Sequence, residues 1–508
     1  MPLSRLSKNI IYNFFGQGLL LVLGFIAVRY IFKQLGEDAL GIIYFTLTIN
    51  AVLCAVLEMG ICSTIIREVA AHFDNQLGYV RDLIRSFSSF YWIAYVLLAA
   101  VIYFGAPILI DKWITLKTID AGMATQVLRI MGISSLLALP RSLYASLFRG
   151  LQRMEFNNII DVASSALQQL GIIVILAFGG GLLAVAYWFV ISFGIGILSY
   201  ILAARRFFPW KAFVPGYCPV VVARNLRYSF GAMSISLLSM IHMQSDKIIM
   251  SKLLPLSLFG FYGFAYSAVS KTTLLTSAVA QAAFPSFSSI FKTGDRDNMM
   301  SQYRKLHDLI CFGAVPFFGV IPFVALPVFG FVFNPDIARM LLVPITFLAL
   351  GFYMNGTLNV PYVFSLAAGK PEVSAKSNFL ALFIVLPATG LLIYFFGLSG
   401  AGFSWVLYNL FSYLYAVPII CSECLLLPVR EWYTHIFKIF VVATLTYGIG
   451  WIFVEFMGSY SIVSLVLAYT GATIVFLVCA YFMISKELRE TLFEYLKFIK
   501  IKFPILNK

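Results

Sequence analysis

The sequence predicts an all-α polytopic membrane protein with 14 transmembrane helices, and three observations support this fold class. Hydrophobic residues make up 61% of the 508 residues and charged residues 11%, whereas ordinary globular proteins carry about 45–50% and about 25%. Apolar windows long enough to cross a bilayer recur along the whole chain, separated by short polar breaks. Basic residues concentrate on alternate connections, as they do in membrane proteins.

The apolar windows give the spans in order. The first window, Ile10 to Phe32, follows Arg5 and Lys8 as in a signal peptide, but it has no small-residue cleavage pattern, so we expect it to remain as the first span. No hydrophilic domain interrupts the series. The predicted spans are residues 10–32, 40–66, 87–110, 123–148, 156–178, 182–203, 225–252, 258–285, 306–332, 338–364, 373–396, 400–422, 435–456 and 460–484.

The basic residues predict the orientation of these spans. Of the 36 Lys and Arg residues, 26 lie at the N-terminus, in or at the edges of the even-numbered connections and in the tail. Only 5 lie in or at the edges of the odd-numbered connections, and the other 5 lie deeper within spans. By the positive-inside rule both termini are therefore cytoplasmic. The same distribution accounts for the net charge of +14 without a nucleic-acid partner.

An internal repeat with an offset near 218 residues predicts the domain organisation. Lys8-Asn9 resembles Arg224-Asn225, and Leu40-Gly41 resembles Phe259-Gly260. Because each repeat holds an even number of spans, the two halves have the same orientation, as in the parallel repeats of many transporters. The predicted parts are a six-helix bundle at 1–204, a cytoplasmic connection at 205–224, a second six-helix bundle at 225–424, two extra transmembrane helices at 425–484 and a cytoplasmic amphipathic tail at 485–508.

The basic residues inside spans are candidates for binding an anionic substrate. Lys271 lies midway along predicted span 8, where a charge costs at least about 2.5 kcal/mol, and Ser267, Ser270, Ser277 and Gln281 share its helix face. This stripe favours a water-filled cleft, while the alternative is a structural ion pair. The other cationic candidates are Arg29 and Lys247, which are 218 residues apart, Arg141 and Arg129; snorkelling to the headgroups is the alternative for each.

Polar and acidic residues complete the predicted site. Asn355 and Asn359 share one face of span 10, so they either line the cleft or bond neighbouring helices. Glu58, Asp246 and Asp161 are candidates for coupling to H⁺ or Na⁺, or for simple charge pairing.

Several enzyme and metal classes lack their sequence signatures. No GxxxxGK[ST] phosphate loop is present, and neither the four histidines nor the seven cysteines show a ligand spacing, so no metal, cofactor or catalytic residue is predicted. The longest outward connection, 111–122, leaves little room for the catalytic loop of a lipid–sugar polymerase or ligase. We therefore do not expect an enzyme.

Five segments carry a family resemblance: SKNIIYNFFGQG, RYIFKQLGEDALGIIYF, RGLQRMEFNNII, SDKIIMSKLLPLSLFGFYGFAYS and AAGKPEVSAKSN. They resemble bacterial oligosaccharide flippases, the O-antigen and polysaccharide translocases of the multidrug/oligosaccharidyl-lipid/polysaccharide exporter superfamily. The resemblance implies movement of an undecaprenyl-pyrophosphate-linked oligosaccharide from the cytoplasmic to the outer leaflet of the inner membrane by alternating access. It also implies membrane lipids, a coupling H⁺ or Na⁺ and other polysaccharide-assembly proteins as partners to consider.

Two other functions remain open at this point. A multidrug antiporter of the same superfamily should present acids to cationic drugs, and the excess of bases within the spans disfavours it. A membrane-embedded glycosyl-lipid enzyme is disfavoured by the short outward connections.

Overall fold

The structure is a computed structural model that describes residues 5–58, 60–293, 295–456 and 461–502. All regular secondary structure in these ranges is helical. The α-helices are α1 (Arg5–Leu35), α2 (Glu37–Glu58), α3 (Ile61–His72), α4 (Leu77–Lys112), α5 (Ala121–Ser135), α6 (Ala138–Gly150), α7 (Met154–Ala177), α8 (Leu182–Ala204), α9 (Pro219–Leu253), α10 (Leu256–Ser270), α11 (Thr273–Thr293), α12 (Arg296–Gly313), α13 (Val315–Val332), α14 (Pro335–Ala367), α15 (Glu372–Ile420), α16 (Val429–Phe456), α17 (Ile462–Met483) and α18 (Lys486–Lys502).

Twelve helical stretches of the described chain are long and apolar enough to cross a membrane. This agrees with the predicted class of polytopic α-helical membrane protein, whereas the number fourteen stays a prediction. Two of the predicted spans, 373–396 and 400–422, fall within one of the twelve stretches. Predicted span 7 corresponds to the 35-residue helix α9, which is not among the twelve.

The helix α15 contains a reversal of the chain at Gly397. This residue has φ 56° and ψ −128°, a conformation that favours glycine. Asn378 and Tyr408 lie 30 residues apart, which is about 45 Å along a straight helix, yet the Tyr408 hydroxyl donates to Asn378 Oδ1 at 2.9 Å. The two halves of α15 therefore run side by side, in agreement with two separate spans.

Two of the predicted spans contain more than one helix in the structure. Gly60, with φ 66°, separates α2 from α3 within predicted span 2. Predicted span 4 is divided between α5 and α6, where the Ser135 hydroxyl donates to the carbonyl of Met131; such back-bonding bends helices. Hydropathy does not detect this local backbone geometry, and residues Ala121–Gly150 still form one apolar stretch long enough to cross a membrane.

The chain divides into two compact units, which we call unit 1 (Met1–Phe264) and unit 2 (Ala265–Lys508). The buried core of unit 1 surrounds Tyr144, Phe148 and Tyr200. In unit 1, α5 packs against α2, α4 and α8; in unit 2, α14 packs against α11, α13 and α15. The helices α5 and α14 lie within predicted spans 4 and 10, and each contacts several other helices of its own unit.

Two glycines of the predicted repeat contact each other within unit 1. A Cβ atom on Gly260 would lie 2.7 Å from the backbone nitrogen of Gly41, and a Cβ atom on Gly41 would meet the carbonyl of Leu256. The starts of α2 and α10 can approach this closely only because both positions lack a side chain.

Candidate functional site

The residue Lys271 lies at a break between α10 and α11. The backbone nitrogens of Lys271 and Thr272 bond the carbonyls of Ala268 and Val269, three residues back, at 3.3 and 3.1 Å. Such i to i−3 bonds replace the α-helical pattern with a tighter turn. The structure thus divides predicted span 8 at the residue that the sequence selected as the main candidate.

Hydroxyl groups surround this break and satisfy its carbonyls. Thr272 Oγ1 donates to the carbonyl of Val269 at 2.6 Å, and Thr273 Oγ1 donates to that of Ser270 at 2.7 Å. Ser270 Oγ donates to the carbonyl of Ser267 at 3.1 Å. Back-bonding by consecutive Ser and Thr residues gives the break a physical cause without proline or glycine.

The Lys271 side chain is exposed. Among the described residues, its ammonium group has no hydrogen-bond or ion-pair partner. A charge that stabilises helix packing would need an anionic partner nearby. Within the part of the chain that the structure describes, the alternative of a structural ion pair therefore has no support for Lys271.

A cavity of about 400 Å³ lies between α11 and α14 in unit 2, and it is lined by Ser277, Gln281, Asn359 and Tyr362 among others. Ser277 and Gln281 belong to the polar stripe predicted with Lys271. Asn359 Nδ2 donates to Thr276 Oγ1 at 3.1 Å, which fixes the amide at the cavity wall. Two residues of the stripe, Ser277 and Gln281, therefore line the same cavity as Asn359.

The second asparagine, Asn355, has a different setting. Its Nδ2 donates to Asn409 Oδ1 at 3.1 Å, and Asn409 in turn donates to the carbonyls of Gly351 and Trp405 at 3.0 and 2.7 Å. These bonds join α14 to the second half of α15. Asn355 thus takes part in a helix-to-helix network, which is the structural alternative considered for it.

Lys247 and Asp246 form a buried pair in unit 1, with exposed fractions of 4% and 1%. Lys247 Nζ lies 3.2 Å from Asp246 Oδ1 and donates to the carbonyl of Met243 at 2.7 Å. The Tyr262 hydroxyl donates to Asp246 Oδ2 at 2.7 Å. Arg29 is half-buried in α1. Lys247, predicted to bind substrate, and Asp246, predicted to couple an ion, therefore form an ion pair with each other.

Arg141 and Asp161, predicted for different roles, also lie together. Arg141 Nη2 is 2.6 Å from Asp161 Oδ1, which also accepts the Tyr200 hydroxyl hydrogen bond at 2.8 Å. These contacts connect α6, α7 and α8. The Arg141 guanidinium also stands 5.5 Å from the Tyr200 ring centroid.

The two remaining candidates are Arg129 and Glu58. Arg129 stacks 4.4 Å from the ring centroid of Tyr103 and donates through Nε to the Tyr103 carbonyl at 2.8 Å. This contact resembles anchoring at a helix end more than substrate binding. Glu58 ends α2, but its side chain lies outside the described residues.

A polar network around Glu68 was not selected from the sequence. The Tyr79 hydroxyl donates to Glu68 Oε2 at 2.8 Å, Asn225 Nδ2 donates to the Tyr79 oxygen at 2.9 Å, and Arg67 Nη2 donates to Asn225 Oδ1 at 3.1 Å. Burial acts to raise the pKa of Glu68, but the bonds from Tyr79 and Arg67 outweigh it and lower that pKa. The sequence signal for Asn225 was the repeat of a basic residue followed by asparagine, Lys8-Asn9 and Arg224-Asn225.

Two of the four histidines lie close together in the structure, although the histidines show no ligand spacing in the sequence. His307 and Asp308 on α12 lie beside His435 on α16, with one potential ligand atom of each within 4.8 Å of the others. Sequence spacing could not detect this cluster because 128 residues separate the two histidines.

Comparison with known proteins gives the family and the fold. The sequence model of a family described as polysaccharide biosynthesis protein matches residues 6–291. A Shigella flexneri protein described as "Putative O-antigen transporter" is 22% identical over 409 residues, covering 78% of this chain and 93% of that protein.

Solved structures with the same fold include a flippase and a drug transporter. A lipid II flippase, MurJ, in an inward closed conformation matches with a TM-score of 0.71 and 13% identity, covering 98% of this chain and 100% of the other. An inward-facing multidrug resistance MATE family transporter of the MOP superfamily matches with a TM-score of 0.64 and 15% identity, covering 82% and 96%. At these identities the likeness concerns the fold.

Proposed function

We propose, from the premise that this chain belongs to the polysaccharide biosynthesis protein family, that it translocates an undecaprenyl-pyrophosphate-linked oligosaccharide across the inner membrane. The substrate would move from the cytoplasmic to the outer leaflet, and the protein would act as a transporter and not as an enzyme. The similarity to an O-antigen transporter and to a lipid II flippase supports this class of substrate.

The observation that carries the proposal is the exposed, unpartnered Lys271 at the break of an apolar span, within the part of the chain that the structure describes. A lysine within a membrane is costly, and a broken helix is a recurrent way to build a transporter binding site. We assign the pyrophosphate to the Lys271 ammonium. The amide and hydroxyl groups of Ser277, Gln281 and Asn359 in the cavity between α11 and α14 suit sugar hydroxyls.

The membrane potential gives this movement a direction. An anionic headgroup that moves outward across an inside-negative membrane gains about 2.3 kcal/mol per charge per 100 mV. The polyprenyl chain would remain in the lipid during this movement. Export of a pyrophosphate-linked substrate is thus favoured by the potential alone, and coupling to H⁺ or Na⁺ would add to it.

The proposed mechanism is alternating access of two six-helix bundles with cytoplasmic termini, followed by two extra helices. The mutual contact of Gly41 and Gly260 supports the repeat, because equivalent residues touch when a two-fold axis passes between them. The reversal at Gly397 and the length of α9 support fourteen spans.

The second candidate is an ion-coupled multidrug antiporter, which the similarity to a MATE transporter favours. It would need an acid that a cationic drug can reach. Asp246 is buried against Lys247, and Asp161 is bonded to Arg141. Of the three acids predicted for ion coupling, the two whose side chains the structure describes therefore already face a cation, which makes this candidate the weaker one.

A vesicle assay tests the proposal. Purified protein is reconstituted into vesicles that contain a lipid-linked oligosaccharide. The appearance of the oligosaccharide in the outer leaflet is measured with an impermeant lectin. We expect Lys271→Ala to slow transfer at least tenfold, because the anion loses its cation, and Lys271→Arg to retain part of the rate.

The matched control is Lys438→Ala, which removes another exposed lysine from a predicted span and should leave the rate within about twofold. Equal transfer by wild type and Lys271→Ala would remove this lysine from the mechanism. Proton-coupled uptake of a cationic drug without lipid transfer would instead establish the antiporter.

A further inference from the structure

The cluster of His307, Asp308 and His435 in unit 2 contains three metal-ligand side chains from two helices. One potential ligand atom of each lies within 4.8 Å of the others, and His435 Nε2 is 2.8 Å from Asp308 Oδ1. We propose that this cluster, hereafter the HDH site, binds one divalent transition-metal ion, with zinc the best match. The proposal is independent of the transported substrate.

The donor set matches the chemistry of zinc. Zinc prefers imidazole nitrogen and carboxylate oxygen at about 2.0–2.2 Å in tetrahedral geometry, so its ligand atoms lie about 3.3–3.5 Å apart. The atoms of His435 and Asp308, 2.8 Å apart, would move apart by about 0.5 Å, and a pair at the 4.8 Å limit would close by about 1.4 Å. Side chains can make such shifts, and His435, whose side chain is 30% exposed, has room to move.

A neighbouring hydrogen bond holds the carboxylate of the HDH site in place. Asp308 is buried, and its Oδ2 accepts a hydrogen bond from the backbone nitrogen of Ser485 at 2.7 Å. The other oxygen, Oδ1, faces His435 Nε2 at 2.8 Å. Partners of this kind orient metal ligands, and their loss typically costs about 10- to 100-fold in metal affinity.

The HDH site also has space for a fourth ligand. A cavity of about 200 Å³ is lined by all three residues and by Glu431. The cavity is large enough for a water molecule, and Glu431, whose Oε1 lies 3.7 Å from Arg304 Nη2, places a second carboxylate at its wall. Three protein ligands with one open position are a common arrangement for zinc.

A metal ion here would connect distant parts of unit 2. His307 and Asp308 belong to α12, His435 to α16, and Ser485 immediately precedes α18. Because the ion would bind the folded arrangement and not the separated helices, binding should stabilise unit 2. The alternative is a hydrogen-bonded His435–Asp308 pair, with His307 stacked on Tyr303 at 5.3 Å and its Nε2 3.5 Å from Cys311 Sγ.

Metal titration of the full chain distinguishes these two cases. The protein is purified without a histidine tag, stripped with a chelator and titrated with Co²⁺, whose visible absorption reports nitrogen and oxygen coordination. Zn²⁺ is then added as a competitor. Thermal unfolding is measured with and without Zn²⁺. We expect one ion per chain and a higher unfolding temperature with zinc.

Two variants and one control assign the ion to the HDH site. His435→Gln keeps a hydrogen-bond donor toward Asp308 but removes the imidazole, and Asp308→Asn removes the charge; each should weaken binding at least tenfold. His72→Gln is the matched control, because His72 lies 3.4 Å from Glu68 in unit 1 but belongs to no group of three ligands among the described residues.

The proposal is overturned if the wild type binds no Co²⁺ and zinc leaves its unfolding temperature unchanged. It is equally overturned if His435→Gln binds the ion as tightly as the wild type. The wild-type titration decides the question even if a variant fails to fold.

Discussion

Arg141 and Asp161 are 20 residues apart and belong to different helices, so their 2.6 Å contact could not be read from the sequence. The residue types did indicate that a charge inside a span needs a partner or a function. The fold then separated these two possibilities. Arg141, Lys247, Asp161 and Asp246 have partners, whereas Lys271, among the described residues, has none.

A prediction at the residue scale concerns Glu68. Its pKa is lowered from the ordinary 4.5, so its ionised form stabilises the folded state above that value, and this contribution is lost as the pH falls through the lower folded-state pKa. We expect Glu68→Gln to reduce the free energy of unfolding by about 1–3 kcal/mol at pH 7. Thermal unfolding at several pH values measures it.

The wild type should lose stability relative to Glu68→Gln as the pH falls below 4.5, until the two converge. Glu494→Gln in α18, outside this network, serves as the control and should follow the wild type. A constant difference between wild type and Glu68→Gln from pH 7 to acid would contradict the role of the Glu68 charge.

At the scale of helices, interruptions distinguish this fold from a set of simple spans. Glycine with positive φ ends α2 near Gly60 and reverses α15 at Gly397, and hydroxyl back-bonding breaks the helix at Lys271. Hydropathy locates spans because it averages over about 19 residues. The same averaging hides a break of two residues.

A prediction at the element scale tests the close contact of α2 and α10. Gly260→Ala would place a methyl group 2.7 Å from the backbone nitrogen of Gly41, and backbone cannot move as a flexible side chain can. We expect a loss of about 1–3 kcal/mol in the packed state, seen as a lower unfolding temperature and slower transport.

Gly105→Ala in α4 is the control, since a Cβ atom there meets nothing within 4 Å. Alanine is also the better helix former, so stability should be unchanged or higher. Equal effects of the two substitutions would show that the contact between α2 and α10 is unimportant.

At the scale of the whole molecule, fourteen spans with cytoplasmic termini predict which connections face outward. In a cysteine-free variant, Lys117→Cys should react with an impermeant thiol reagent added to intact cells. Lys211→Cys should react only after the membrane is opened. Both lysines belong to connections, and their expected difference follows from the positive-inside rule. Labelling of Lys211→Cys in intact cells would contradict the predicted cytoplasmic location of this connection and would indicate the opposite orientation.

The sequence by itself determined the fold class, the approximate spans and the choice of Lys271 as the principal candidate. Composition and hydropathy are sums over neighbouring residues, and they suffice because a bilayer requires long apolar helices. The resemblance of several segments to oligosaccharide flippases also indicated the family that the comparisons identified.

Only the tertiary structure decided which polar residues contact one another. It paired Lys247 with Asp246, joined Asn355 to Asn409 and brought His435 to His307 and Asp308 across 127 or more residues of sequence. Such contacts depend on which helices become neighbours and how each one is rotated. No local pattern specifies these quantities, because they are set by the packing of all the helices together.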